Sequence, residues 1–511
     1  MMGFRDRFDR SKRKPSTRRQ RVGFAYFWLL VLSYAYVTSS SPNFNTESHL
    51  YPAFSIVDHG TVNIDAYHTR LGDESYYRGH YYSDKAPGLS FLAVPLYAGL
   101  RLVFPGRRAT GYQAFSHFRY AVGRNTVYMR YAITYFLVIL PSALFAVLLW
   151  LFLSRLLGSE RWALALSATY ALGTIAYPYS TWFFSHQVAA ILLFGAFLIL
   201  FARVRHRAAS REVLLACGTA GLLAGYAVIC EYPTLLIALA LGCYVVAVTS
   251  GRLKAAFAYC LGAFPALGLM LFYDKLAFGN PFTTGYNHVN SELYHNTVAG
   301  GLLGVALNSV KSPSLDSLWE ITFGAYRGLF IVSPVLVLFF PAVVLMWRQR
   351  RLRAELLVCA SVVVLYFLMD ASRGVDQNGW SGGWSIASRH LTPVLPFMIV
   401  PMASGLRHRW FRMSFVPLAA LSISLMFMAV VSVGTFSFAD HNPVFNELLP
   451  HFLHGHVQLN WGYLIGLRGF PSLFPFFGLA LVVVCRIVWL YSALATRLPS
   501  SALSPAELRA S

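Results

Sequence analysis

The chain has 511 residues, 56% hydrophobic and only 12% charged, against about 25% charged in a soluble domain, so a soluble globular fold is excluded. The net charge of +21 does not read as a nucleic-acid footprint, because the basic residues stand in short clusters between apolar runs, as they do beside the cytoplasmic ends of membrane helices. Continuous apolar runs such as 131–153 suit membrane helices better than the alternating strands of a barrel.

Residues 1–22 carry nine Lys or Arg and predict a basic cytoplasmic tail. The apolar stretch 23–39 ends in Thr-Ser-Ser-Ser-Pro without a small-residue cleavage pattern and is read as an uncleaved first membrane helix. Further spans are predicted near 127–154, 162–180, 183–202, 212–230, 233–250, 255–276, 328–347, 355–371, 391–405, 413–437 and 472–493, about twelve in all. The apolar segment 89–104 is short and contains Pro95 and Arg101. If it crossed the bilayer, later basic loops such as Arg203/Arg205/Arg207/Arg211, Arg348/Arg350/Arg351/Arg353 and Arg407/Arg409/Arg412 would lie opposite the basic N-terminus. It is therefore placed as an interfacial or re-entrant helix.

Both termini are then cytoplasmic, with 494–511 a second tail, and 40–126, 277–327, 372–390 and 438–471 lie outside. The expected fold is an all-α polytopic membrane protein with one transmembrane domain over 23–493 and a long first outer loop containing interfacial helices. All six cysteines fall in apolar segments, which predicts no disulfide framework.

The first outer loop holds six of the chain's 21 acidic residues, Glu47, Asp58, Asp65, Asp73, Glu74 and Asp84. Glu47 follows the first helix closely; it is either a solvated loop residue or an acid whose pKa desolvation raises, as suits a general base. Asp58 is the next candidate for that role. Lys85 stands where an apolar segment begins and either snorkels or binds the phosphate of a membrane lipid.

The order of first helix, acid, aromatic run and Asp84-Lys85-Ala86-Pro87 resembles the GT-C glycosyltransferases, in particular the branch of protein O-mannosyltransferases and lipid A aminoarabinose transferases. That branch opens its loop with an Asp-Glu pair, where this chain has Asn45-Thr46-Glu47, and later reads acid-Lys-Pro-Pro. Arg130 stands where the branch carries an Arg at the start of its second membrane helix. The chain is also similar to bacterial membrane glycosyltransferases in five ordered pieces. These are Glu47 with His59-Gly60; Tyr81–Ser90; Phe278–Phe282 with Gly285-Tyr286; Arg327–Phe330 with Ser333-Pro334; and Gly382–Ser385 with Arg389, Pro393 and Leu395-Pro396.

The resemblance implies a GT-C-like bundle in the bacterial inner membrane. It implies a polyprenyl-phosphate-linked sugar donor, an acceptor glycan, lipid or protein, and membrane lipids as surroundings. It also implies a divalent metal at Asp84, since some relatives pair that acid with zinc, although no His-x3-His spacing supports one here.

Lys85, Arg130, Arg327 and Arg389 are cations at the expected outer interface, suited to a departing phosphate or to snorkelling. Trp380 and Trp384 can stack on a sugar or anchor the loop at the interface, and Tyr82 and His390 are further sugar- or acceptor-binding candidates. Glu231, Asp274 and Asp370 end spans on the outer side and are not assigned. The absence of a Walker loop or a dinucleotide-binding Gly-rich turn favours a lipid-linked donor over a nucleotide sugar. The expected activity is glycosyl transfer at the outer face; the alternatives are a lipid or glycan flippase or other transporter, and a non-catalytic membrane subunit.

Overall fold

A computed structural model describes residues 17–37, 44–68, 73–111, 113–116, 119–121, 123–205, 207, 210–289, 312–373, 381–434, 436 and 442–492. Apolar segments that no water reaches must pair their own backbone groups, and helices result. The principal ones are α1 (Thr17–Ala35), α2 (Phe44–His59), α3 (Gly88–Val103), α4 (Arg124–Leu157), α5 (Glu160–Gly173), α6 (Ser185–Val204) and α7 (Arg211–Cys230). They continue with α8 (Tyr232–Val248), α9 (Arg252–Phe278), α10 (Pro334–Trp347), α11 (Arg350–Ala371), α12 (Leu395–Gly405), α13 (Arg409–Val433) and α14 (Phe470–Ser492).

Among the described residues, seven helices (α4, α6, α7, α9, α11, α13 and α14) are long and apolar enough to cross a membrane, and α3, α8 and α10 are apolar but shorter. Three expected spans are interrupted. The 162–180 segment stops at Gly173, and a separate turn, Ala176–Tyr179, follows. Pro334 divides 328–347. The 391–405 segment opens as a 3-10 turn, Arg389–Val394, that contains Pro393. At the last two a proline removes a backbone donor and its ring crowds the preceding turn.

Helices α7 and α9 cross at small residues. Gly221 lies against Tyr259, Gly262 against Gly218, and Gly225 against Ala263, each with no room for a Cβ. Such close approach is how helices gain packing energy where the surrounding lipid is as apolar as the interface. Large side chains such as Phe257 and Phe264 of α9 and Leu481 and Val482 of α14 point away from the bundle.

The two ends of the bundle differ. At one, Arg18 and Arg19 of α1 pair with Glu160. Arg205 there pairs with Glu355, which also accepts the Tyr244 hydroxyl at 2.8 Å. Arg407 reaches the Leu156 carbonyl at 2.7 Å. The other end carries the segment between α1 and α4: α2, an antiparallel hairpin of β1 (Glu74–Tyr77) and β2 (His80–Ser83), and α3. A second antiparallel pair, β3 (Gln113–Ser116) and β4 (Arg119–Ala121), precedes α4. The first hairpin turns at Arg78 and Gly79, both at positive φ (49° and 89°), the geometry that matches strand twist.

Candidate functional site

The hairpin leads directly into Asp84-Lys85 and then into α3. At Gly88 a Cβ would lie 2.7 Å from the backbone of Ile229 and Cys230, and the Tyr226 hydroxyl donates to the Gly88 carbonyl at 3.0 Å. This contact draws the start of α3, and Lys85 just before it, against the end of α7. The 278–286 motif closes over the same place: Gly285 packs without a Cβ on Ser83 and Asp84, and Ser75 Oγ donates to its carbonyl at 2.7 Å. Two of the five sequence pieces therefore meet.

Lys85 is nearly buried, its side chain 10% exposed, with Nζ 2.9 Å from Asp84 Oδ2 and 3.3 Å from Asp73 Oδ2. It also lies 5.8 Å from the centre of the Tyr286 ring. Burial pulls the ammonium pKa down, but Asp73 and Asp84 together outweigh it and hold Lys85 above its ordinary value. Asp84 takes a further hydrogen bond from Ser48 of α2 at 3.1 Å. His49, the next residue, is buried, and burial together with the nearby Lys85 charge lowers its pKa to about 3, so it is neutral.

The second half of the site comes from α6, α7, α11 and the 381–390 loop. The loop, itself one motif piece, is fixed from beneath by another: Arg327, fully buried, donates to the carbonyls of Gly383 at 3.3 Å and Phe436 at 3.2 Å. Gly382 and Gly383 have φ of 75° and 73°, and Ala387 takes φ 51°, a left-handed conformation that a Cβ disfavours. Ser385 Oγ braces it by donating to the Ala387 carbonyl at 2.7 Å. The loop delivers Ser388 to Asp370 at 2.6 Å, Arg389 over the Phe184 ring at 5.5 Å, and His390 beside Arg373 at 2.9 Å.

His186, at the start of α6, lies 3.6 Å from Glu231, and His390 lies 4.0 Å from the other oxygen of that carboxylate. Lys85, Arg373 and Arg389 all lie within electrostatic reach of His390. The site is thus a compact cluster of cations, acids and histidines at one end of an apolar bundle.

Several residues singled out in the sequence are placed differently. Glu47 is completely buried and pairs with Arg130 at 3.0 Å, so the expected base and one expected phosphate ligand are the two ends of one ion pair. Asp58 accepts from Tyr67 at 2.9 Å, Tyr97 at 2.6 Å and Arg101 at 2.9 Å. It ties α2 to α3, with both carboxylate oxygens engaged in that network. Arg327 supports backbone where an ion ligand was expected.

Tyr82 packs with Tyr273, Ala277 and Phe278, its ring 5.2 Å from that of Phe278, and is a core residue rather than a sugar platform. Asp84 is neighboured by Lys85 and Ser48, not by histidines, and does not belong to the metal-competent group of the described residues, which is His186, Glu231 and His390. Trp384 is 55% exposed. Trp380 lies outside the described residues.

Lys85, Arg389 and His390 do come together, joined by Asp73, His186, Glu231 and Arg373. Sequence reasoning left these four without roles. The available signal was an ionisable residue at the start or end of an apolar run, as at His186 and Glu231. No family model, curated protein or solved structure matches the chain.

Proposed function

We propose that the chain transfers a sugar from a polyprenyl-phosphate donor to an acceptor hydroxyl at the outer face of a bacterial inner membrane. The observation that carries this reading is the convergence of the nearly buried Lys85 and of Arg389, with the more exposed carboxylate of Asp73 3.3 Å from the ammonium. An anion held by a buried ammonium and a guanidinium is strongly stabilised because little water screens it. A phosphate whose ester bond to the anomeric carbon breaks develops negative charge where those cations stand.

Asp73 is the base in this reading. Its carboxylate takes the acceptor hydroxyl proton as the new glycosidic bond forms, and the bond electrons of the departing oxygen leave with the lipid phosphate. Glu47, the base expected from sequence, is instead held in an ion pair with Arg130. The resemblance to GT-C enzymes supports the same chemistry. The basic end of the bundle, with Arg18, Arg19, Arg205 and Arg407, is the cytoplasmic end under the positive-inside rule. The site at the opposite end then faces away from nucleotide sugars, which leaves lipid-linked donors.

The decisive experiment supplies the purified protein in lipid nanodiscs with polyprenyl-phosphate sugars and follows release of the polyprenyl phosphate. Consumption of nucleotide sugars with no turnover of any lipid-linked donor sinks the proposal. For orientation, a reporter inserted after residue 110 should be found outside and one at 206 inside.

A further inference from the structure

We infer that His186, Glu231 and His390 bind a divalent transition-metal ion of the zinc class. One ligand atom from each residue lies within 4.8 Å of the other two. The carboxylate is 3.6 Å from His186 Nε2 and 4.0 Å from His390 Nδ1. Those gaps are too long for hydrogen bonds. They are a little wider than the separation of about 3.3 Å between ligand atoms around a tetrahedral ion held at about 2.0–2.1 Å.

A second observation is independent of spacing. His186 is 2% exposed, and neither of its ring nitrogens makes a hydrogen bond; His390 Nδ1 is likewise buried without one. Buried polar atoms in folded proteins are nearly always satisfied. An imidazole left bare on both sides beside a carboxylate is an arrangement that a cation completes. The carboxylate is already oriented, since Ser185 Oγ donates to Glu231 Oε2 at 2.8 Å.

The donor set fixes the class of ion. Two imidazole nitrogens and one carboxylate oxygen suit zinc and its transition-metal neighbours, whereas magnesium and calcium prefer oxygen alone. Three protein ligands leave a fourth position for water or a ligand oxygen. Loading requires one rearrangement. Arg373 can only donate, so His390 accepts at Nε2 and carries its ring proton on Nδ1. When Nδ1 ligates, that proton moves to Nε2 and Arg373 turns to Asp370 Oδ1, which lies 3.6 Å from its Nε and has no hydrogen bond.

The site stands whether or not the glycosyltransferase reading holds, and its test does not use activity. Untagged full-length protein in detergent is stripped with a chelator, loaded with Zn²⁺, desalted and analysed for metal. The expected content is about one zinc per chain, falling at least about tenfold in His186→Ala and in Glu231→Gln. The exposed histidines around His456, whose ring lies 5.4 Å from that of His451 and 6.3 Å from that of His454, are the competing site. The double variant His451→Ala/His454→Ala should therefore keep its zinc.

Zinc retained in folded His186→Ala, or wild-type protein no richer in metal than that variant, overturns the inference. If that variant does not fold, Co²⁺-loaded wild type decides. A visible absorption band of a four- or five-coordinate nitrogen–oxygen site supports the assignment, and its absence overturns it.

Discussion

Arg130 Nη1 lies 3.0 Å from Glu47 Oε1, and the carboxyl residue is completely buried. Removing one partner of such a pair strands the other charge, at a cost of about 3–5 kcal/mol, whereas replacing both by apolar residues is often close to neutral. Arg130→Met and Glu47→Leu should each lower the thermal midpoint in detergent. The double variant should recover most of the loss, giving a large coupling energy in the cycle. Additive losses would show that the contact matters little and would return Glu47 to consideration as the base.

Lys85→Ala removes a charge-assisted contact of about 1.5–3 kcal/mol to an anion, about ten- to a hundred-fold in KM for the lipid donor or in kcat/KM. Asp73→Asn keeps shape and should instead lower kcat by about a hundred-fold or more while donor KM changes little. Steady-state assays in nanodiscs separate the two. An unchanged kcat in Asp73→Asn removes the assigned base while leaving the phosphate site standing.

Asp58 offers a stability test with a definite sign in pH. Burial alone would raise its pKa, but hydrogen bonds from Tyr97, Tyr67 and Arg101 outweigh it and hold the carboxyl below its ordinary value. A depressed folded-state pKa contributes stability that is complete above the ordinary carboxylate range near pH 4 and is lost as pH falls through the folded value. Asp58→Asn should cost about 1.5–3 kcal/mol at neutral pH. The deficit relative to wild type should shrink below about pH 4, read from denaturation midpoints across pH. A deficit that stays constant at low pH would mean the network is held by shape and not by charge.

The helical segments were legible because continuous apolar runs announce them, and most expected spans reappear as helices within a few residues: 212–230 as Arg211–Cys230, and 472–493 as Phe470–Ser492. The breaks at Pro334 and Pro393 were written in the chain too, but hydropathy averages over a single proline.

The site was legible only in part. Lys85, Arg389 and His390 stood out as polar residues at apolar borders, and they do converge. Their partners could not be read, because Glu231 meets His186 and His390 across three separate helical elements, and one-dimensional spacing holds no record of that. The same limit misassigned Arg327 and Tyr82. Their residue types fit binding roles, and only burial assigns the first to backbone carbonyls and the second to an aromatic cluster.

Two glycines of α3 give an internally controlled test of how the site is held. A Cβ at Gly88 would lie 2.7 Å from the backbone of Ile229 and Cys230, atoms that cannot rotate away, whereas a Cβ at Gly99 meets nothing within 4 Å. Gly88→Ala should push α3 off α7, costing about 1–3 kcal/mol as an overpacked contact does. It should also raise donor KM, since Lys85 rides on the same segment. Gly99→Ala sits in an open helical position, where alanine is favoured over glycine by up to about 1 kcal/mol, so it should be neutral or slightly stabilising with unchanged KM. Thermal midpoints and donor KM for the two variants make the comparison. If Gly88→Ala matched Gly99→Ala in both, the close approach of α3 to Cys230 would not be what sets Lys85 in the site.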